Sequence, residues 1–540
     1  MANVPIRELG SIGVVTDVSS FNLPPNAYSR ANNVRFSNGE VSRSPIFRRV
    51  INSNTGTDTA PHHVFSLKSS SGYDTLFYVN FRFEVIEGLA QTSRGNMNST
   101  IGSFVPFTSA QLADVVYINR NERVPIHRTP SATNFTNLPN WDSTWRCDAI
   151  RSYGDFLLAL NLTEGSSSYP NRVRFSDIAL ANSVPGSWDA TDATKSAGFN
   201  DLVEMTTPII DGATLGNSFL IYSTDQVWRM DFVGGQFIFQ FRKLFSDVGV
   251  INQNCIVEVE GKHYVFDTND IYITDGNTQQ SIAENKVKDY IFASLDNSKT
   301  NRCFVVCNKD LEEIYFCYPS GDDMVSMTNT DGCNRAAVYN YRYNTWSFMD
   351  LPNVFSGCQA SVDTTETYQS IDAGITYANV GGTYYSQESG HDRHLIMAAA
   401  TDAANGISTH RIFGIDSMDL GSMTQQKDPE ISFPVKLERV GIDLDEMQVP
   451  LSGYKVISKI IPQVTTTNSD KDFKFTFGAA NLSSDAPSYS TTQTLNISTD
   501  YKLDSRASGR YLSYKFEEST TVKDFSLSGF DFEVAVTGRR

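Results

Sequence analysis

A few groups of side chains in this 540-residue sequence have the types and spacing that chemistry would need. His391-Asp-Arg-His394 sets two imidazoles three residues apart, a spacing that can hold a metal ion when both lie on one helix face. Its surroundings, Gln387 to Gly390, read as loop, and no third ligand is near in sequence. His62-His63 carries less still. Asp267, Asn269, Asp270 and Asp275 offer oxygen ligands to calcium, but the ordered loop with its central Gly and closing Glu is missing. Asx residues there are better read as turn formers that bond their own backbone. Glu312-Glu313 and Asp322-Asp323 place carboxylates side by side, as glycoside chemistry would require. In a chain with 61 acidic residues such pairs arise by chance. No nucleophile elbow, phosphate-binding loop or HExxH motif occurs. The expectation is a protein with no catalytic residues, no metal and no cofactor.

The elements that would position any site are strands. In Gly261 to Gly276, the runs Tyr264-Val-Phe266 and Ile271-Tyr-Ile273 flank turn residues Asp267 to Asp270, which predicts a hairpin. The figure matches one 44 residues earlier, Leu220-Ile-Tyr222 and Val227 to Asp231 around Ser223 to Gln226, and a fainter one 43 residues later at Ile314-Tyr-Phe316. Short strands repeating every 40 to 45 residues are the sequence signature of β-propeller blades. Similar hairpins run from about residue 55 to 415, among them Leu76–Val79 with Arg82–Ile86, Val115–Ile118 with Val124–Ile126, and Ala337–Asn340 with Thr345–Phe348. At about 44 residues per blade the region holds about six blades, with surplus assigned to Gln91–Leu112, Ser320–Arg335 and Asp363–Arg393. One helix is expected, Glu284–Leu295, on its stripe of Val287, Ile291, Phe292 and Leu295.

Residues 1–54 form an N-terminal segment with an Asn38-Gly39 hairpin between Asn33 and Arg43. Residues 416–432 read as a polar linker. Alternating strands over 433–540, including Lys455–Ile461 ended by Pro462, suggest a sandwich. The fold class is therefore all-β: a propeller over 55–415 and a β-sandwich-like platform made from the N- and C-terminal segments.

Net charge is −17. Residues 1–50 hold six basic side chains against three acidic ones, which leaves −20 on the remainder. An acidic body excludes tight, sequence-independent DNA binding and suits a wall that nucleic acid slides past. Arg30, Arg35, Arg43, Arg48 and Arg49 could contact DNA or dock on an acidic partner ring; the Pro-rich extended chain without interleaved Trp or Lys favours docking, with a solvated face as the plain alternative. Seven scattered cysteines without CxxC pairs suggest reduced thiols in a protein made in a cytoplasm. No signal peptide and no membrane span is expected.

Leu9-Gly-Ser-Ile-Gly-Val-Val-Thr-Asp17, Leu23-Pro-Pro-Asn-Ala-Tyr28, Asn32-Asn-Val-Arg-Phe36, Tyr169-Pro-Asn-Arg-Val-Arg-Phe-Ser176, Val184-Pro-Gly-Ser-Trp188 and Val233-Gly-Gly235 carry a resemblance. With the helix after Ser281-Ile282, Leu437-Glu-Arg439, Gly509-Arg510 and the final Gly538-Arg-Arg540, the chain resembles, nearly end to end, the tail tubular or nozzle proteins of short-tailed bacteriophages. These matches are turns and strands without chemistry. The resemblance implies a virion tail component, assembled in the host bacterial cytoplasm as a homo-hexamer around a channel. It further implies a portal-adaptor above, tail fibres or spikes outside, and genomic DNA passing through the lumen without sequence-specific binding. A receptor-binding or polysaccharide-degrading tail propeller is the rival. Sialidase blades carry Ser-x-Asp-x-Gly-x-x-Trp turns, and Ser223-Thr-Asp-Gln-Val-Trp228 lacks the Gly and has its Trp too early.

Overall fold

Apolar runs of four to six residues without alternation belong to strands covered on both faces, and that is how the middle of this chain is built. The computed structural model describes residues 2–52, 61–68, 74–80, 82–88, 91–97, 104–235, 237–322, 332–361, 393–399, 411–416, 433–445, 449, 453–518 and 523–538. Val115–Asn119 and Ser218–Tyr222 are buried at every position, because each is a middle strand of a four-stranded antiparallel sheet with a neighbouring sheet on either side.

Five such sheets follow in chain order. Blade 1 is Pro61–Lys68, Asp74–Asn80, Glu84–Glu87 and Thr92–Asn96, and blade 2 is Thr108–Leu112, Val115–Asn119, Ile126–Arg128 and Thr136–Asn137. Blade 3 is Trp145–Tyr153, Phe156–Glu164, Ser167–Phe175 and Gly198–Asp201, and blade 4 is Asp211–Leu215, Ser218–Tyr222, Val227–Phe232 and Phe239–Phe245. Blade 5 is Ile256–Val259, Lys262–Phe266, Ile271–Thr274 and Gln279–Ser281. Blade 6 is Phe304–Asn308, Glu313–Tyr318, Cys333–Asn340 and the first half of the long strand Thr345–Ser361.

That long strand bends at Val354 and starts a seventh run of four. Its second half pairs with Arg393–Ala399, which pairs with Arg411–Asp416, and the fourth strand is Ile46–Asn52 from the N-terminal segment. Apolar cores join blade to blade around the circle. Phe65 and Phe77 meet Val116 and Ile118, Val115 and Tyr117 meet Leu157 and Ala159, and Leu158 meets Phe219 and Ile221. Val306 and Tyr315 meet Leu395 and Phe413, and Ile396 and Ala398 of blade 7 close on Val64 and Tyr78 of blade 1. The propeller is thus a closed ring, with a seventh run beyond the six blades that the repeat accounts for. Its four strands come from scattered segments, so no 44-residue period marks them.

Some local expectations shift. Gln91–Leu112 is not surplus: it supplies the last strand of blade 1 and the first of blade 2. Ile314–Phe316 lies on the second strand of its blade, whereas Ile271–Ile273 lies on the third, because residues 282–303 intervene as a helix and turns. The helix is shorter than its stripe, Lys288–Ser294, since Asn285 takes a left-handed conformation (φ 58°) that breaks the first turn. Val287, Ile291 and Leu295 are buried as the stripe requires. Pro462 does not end its strand, which runs Tyr454–Thr465; past Ile460 its outer flank has no paired strand among the described residues, and proline is tolerated at an edge. The 416–432 linker and most of Asp363–Arg393 lie outside the described residues.

The platform is a sandwich of two sheets. One contains Ala2–Arg7, Val34–Ser37, Glu40–Arg43, Tyr454–Thr465 and Ser526–Gly538, and the other Arg30–Asn32, Val435–Ile442, Asp472–Ala480 and Tyr511–Glu518. Phe473, Phe475, Phe477 and Phe516 of the second pack on Phe530, Phe532, Ile457 and Ile460 of the first, and Val4, Ile6, Val34 and Phe36 complete the same core. Tyr514 meets Phe530 edge-on at 4.8 Å between centroids. Among the described residues no helix is long and apolar enough to cross a membrane.

Candidate functional sites at the platform joint and the ring axis

The propeller and platform meet at Arg30–Asn32. This strand pairs with Val435–Ile442 on one side and, through Asn32, with Phe348 of blade 6 on the other, so one hydrogen-bonded sheet runs from blade to sandwich. Asn33 follows in a left-handed conformation (φ 60°). Its side-chain oxygen accepts from the Asp350 N–H at 2.8 Å, and its amide donates to the Asp350 carboxylate at 3.2 Å and the Pro434 carbonyl at 2.9 Å. Arg35, 16% exposed, forms an ion pair through Nε with Oε1 of Glu313, 2% exposed, at 2.8 Å and donates to the Leu311 carbonyl. Gly13 packs on Trp346, where a Cβ would lie 2.8 Å from the Trp346 carbonyl oxygen. The Asp17 carboxylate accepts from the Asp289 N–H at 3.0 Å, joining the N-terminal segment to the start of the helix.

The five candidate arginines therefore fall into separate places. Arg35 is committed inside the chain to Glu313, and Arg43 donates to the Phe433 carbonyl at 3.0 Å. Arg30 sits half-buried on the joint strand. Arg48 and Arg49 lie on the closing strand of blade 7, opposite Gly414 and Phe413, and their side chains are outside the described set. Arg35 and Arg43 thus make contacts within the chain.

On the ring axis the innermost strands line an open cavity of about 570 Å³. On its wall Arg151 bridges neighbouring blades in a bidentate pair with Asp211 (2.8 and 2.7 Å), also donating to the Ser109 carbonyl and to Asn254 Oδ1 at 2.9 Å. His63 lies buried between the hydroxyls of Ser109 and Ser356, each at 3.2 Å. Burial, reinforced by the Arg151 charge, lowers its imidazole from 6.5 to about 3, so it is neutral near pH 7. His62 lies against the Phe355 ring at 4.5 Å, and the Arg302 guanidinium covers Phe104 at 3.7 Å. Sequence reasoning missed this network: Arg151, Asp211 and Asn254 are far apart in sequence, and only the ring brings the blade-leading segments together.

The other candidates resolve into structure. The Asp267 carboxylate accepts from the Thr268 N–H, Asp270 from the Ile271 N–H, and Asp275 from the Asn277 and Thr278 N–H groups, all turn contacts. Glu312 pairs with Arg342 and Glu313 with Arg35. His394 sits on a blade 7 strand, and His391 is outside the described residues. Among the described residues no group of three His, Cys, Asp or Glu could hold a metal ion. All seven cysteines are free, six of them buried. Burial pushes the thiols of Cys147, Cys255, Cys303, Cys317 and Cys333 up, away from reactive thiolate.

The architecture defines the class: an all-β propeller built onto a sandwich platform. No model of a known family and no curated protein matches the sequence. Among solved structures the chain is similar to the computationally designed Ika8 protein, at 10% identity over 68% of this chain and 100% of that one, with a TM-score of 0.36. It is also similar to the WD40 β-propeller domain of Doa1, at 9% identity over 69% and 98% with a TM-score of 0.36. The Myceliophteria thermophila Cps50 (Swd1) β-propeller domain gives 7% identity over 68% and 100% with a TM-score of 0.39. At this distance the likeness is one of fold and carries nothing about function.

Proposed function

We propose that this chain is a non-catalytic structural subunit of a short-tailed phage tail, six copies of which form a nozzle below the portal-adaptor through which DNA is ejected. The observation that carries the reading is the joint, where one continuous sheet fixes the propeller to a platform woven from both ends of the chain. Such a body transmits load between a partner above and a bore beside it without hinging. The acidic balance of residues 51–540 fits a wall that repels the DNA backbone. Fibres or spikes would attach outside.

The test is reconstitution. Purified chain mixed with the adaptor ring, imaged by electron microscopy, is expected to cap it with a six-fold ring enclosing an open channel. A chain that never joins the adaptor sinks the reading.

One observation favours a second reading, receptor binding or polysaccharide degradation: the axial cavity lined by Arg151, Asp211 and Asn254 together with Phe104 and Phe355. Depolymerisation of host surface polysaccharide by the pure chain, abolished in Arg151→Ala, would establish that alternative.

A further inference from the structure

All seven blades send residues to the axial cavity, and its wall carries two kinds of surface. One is flat and largely apolar. The Arg302 guanidinium lies 3.7 Å from the centre of the Phe104 ring, Phe104 stacks on Phe355 at 5.7 Å and 18°, and His62 packs on Phe355 at 4.5 Å. The other is polar and held in place. Arg151 commits four of its five N–H donors to Asp211, Asn254 and the Ser109 carbonyl, which leaves one on Nη1. Asn252 donates both amide hydrogens, to the Asn301 carbonyl at 2.9 Å and the Cys303 carbonyl at 3.2 Å, so its Oδ1 remains as an acceptor. Donor and acceptor are thus fixed by bonds to the scaffold before any ligand enters, which lowers the cost of binding one.

A saccharide ring matches both surfaces. Its faces are C–H groups that lie well on a flat apolar plane, and its edge is hydroxyls, each of which donates and accepts. The volume of about 570 Å³ falls within the range of small-molecule sites, about 300–1,000 Å³. Cleavage is a separate matter, because glycoside hydrolysis takes two carboxyl groups flanking the scissile bond. Among the described residues Asp211 is the single acidic group on the wall. Each of its oxygens already accepts two hydrogen bonds, Oδ1 from Arg151 Nε and the Gly212 N–H, Oδ2 from Arg151 Nη2 and the Asn254 N–H. A carboxylate saturated in this way is not placed to pass a proton.

We propose that the axial cavity is a binding site for a saccharide of one or two rings, which it holds without cleaving. The inference rests on the second reading above, narrows it to binding, and is independent of the nozzle.

The test uses the full chain with lactose, maltose and N,N′-diacetylchitobiose as probes, followed by calorimetry and saturation-transfer NMR at millimolar concentration. At least one probe is expected to bind saturably, with no new reducing ends after prolonged incubation. Ala213→Tyr, on the innermost strand of blade 4, fills the cavity and is expected to abolish binding. Phe104→Ala removes part of the flat wall and should raise Kd about tenfold. Both positions are half-buried, and circular dichroism checks that each variant folds; should Ala213→Tyr fail to, Phe104→Ala carries the test. The rim of blades 3 and 4 offers a rival surface, since Phe199, Phe232 and Phe237 are between 44% and 75% exposed there. Phe237→Ser is expected to bind as the native chain does.

Binding that survives in Ala213→Tyr, or is lost in Phe237→Ser with Phe104→Ala unaffected, overturns the proposal, as does cleavage of a bound probe. If no probe binds but the chain depolymerises host polysaccharide, this inference falls and the second reading stands. If neither occurs, both fall.

Discussion

His63 is the most informative single position for testing the ring, because its properties depend on blades 1, 2 and 7 being closed around it. It sits between Ser109 of blade 2 and Ser356 of blade 7, and its imidazole is held at about 3 against 6.5 in the unfolded chain. The unfolded chain therefore binds one more proton than the folded one between those values. Stability from this group is fully present above pH 6.5 and is lost as pH falls through that window, at up to about 1.4 kcal/mol per pH unit. Over the whole window the loss approaches about 5 kcal/mol, enough to consume much of a typical domain's stability. His63→Gln keeps a polar side chain but cannot take up a proton. It is expected to be weaker at pH 7 by about 1–3 kcal/mol for imperfect hydrogen bonding. Its dependence on pH between 6 and 4 should nonetheless be shallower than that of the native chain by nearly one proton. The assay is denaturant unfolding at a series of pH values, paired with exchange at the imidazole C2–H by mass spectrometry to titrate His63 directly. Equal slopes for the two proteins, or a His63 that titrates near 6.5, would refute the buried position of His63 between blades 2 and 7.

Arg35→Ala leaves the buried Glu313 carboxylate with only the Tyr315 hydroxyl (2.9 Å) as a side-chain partner, and is expected to destabilise the joint by about 3–5 kcal/mol, read as a shift in the denaturation midpoint. Replacing both partners, Arg35→Met with Glu313→Leu, should recover most of that loss, since it removes the stranded charge as well. Asn33→Ala deprives the Asp350 N–H of its acceptor and forces alanine into a left-handed conformation, and protease cutting near the platform joint should accelerate. Gly10→Ala would place a Cβ 2.1 Å from the Glu40 carbonyl, a backbone atom that cannot step aside, and should sharply reduce soluble yield.

The parts of this fold that were legible in sequence are those written in local chemistry. The Asn38-Gly39 hairpin pairs Ser37 with Glu40 as expected, and the Gly261–Gly276 stretch pairs Phe266 with Ile271 across its Asx turn. Neither reading needed anything beyond a turn and its flanking residues. What stayed hidden depends on distant partners. The seventh run is assembled from four separated pieces, one of them upstream of the first blade, and no periodicity connects them. Pro462 misled because edge position is a property of the sheet. Arg35 read as a free basic residue because Glu313, its partner, lies in blade 6. The rim aromatics had a local trace, the run Phe237-Ile-Phe-Gln-Phe241 after two glycines, but only the fold separates the buried Phe239 from the exposed Phe237.

The closing strand of blade 7 has a consequence for how the protein comes to exist. Ile46 is made well before its partner Asp416, and Val4 waits over a longer stretch of chain still, for Phe532. Blades 2 to 5 can form in turn as they are synthesised, each from contiguous chain, but the circle cannot lock until Arg411–Asp416 has been made. The early strand must meanwhile stay unpaired with its edge exposed, a state open to wrong pairing with neighbouring nascent chains. Once locked, the same arrangement works in the opposite sense: Ile46–Asn52 cannot peel away without breaking a sheet that Arg411–Asp416 holds shut, so loss of the native state should be slow even where the equilibrium favours it.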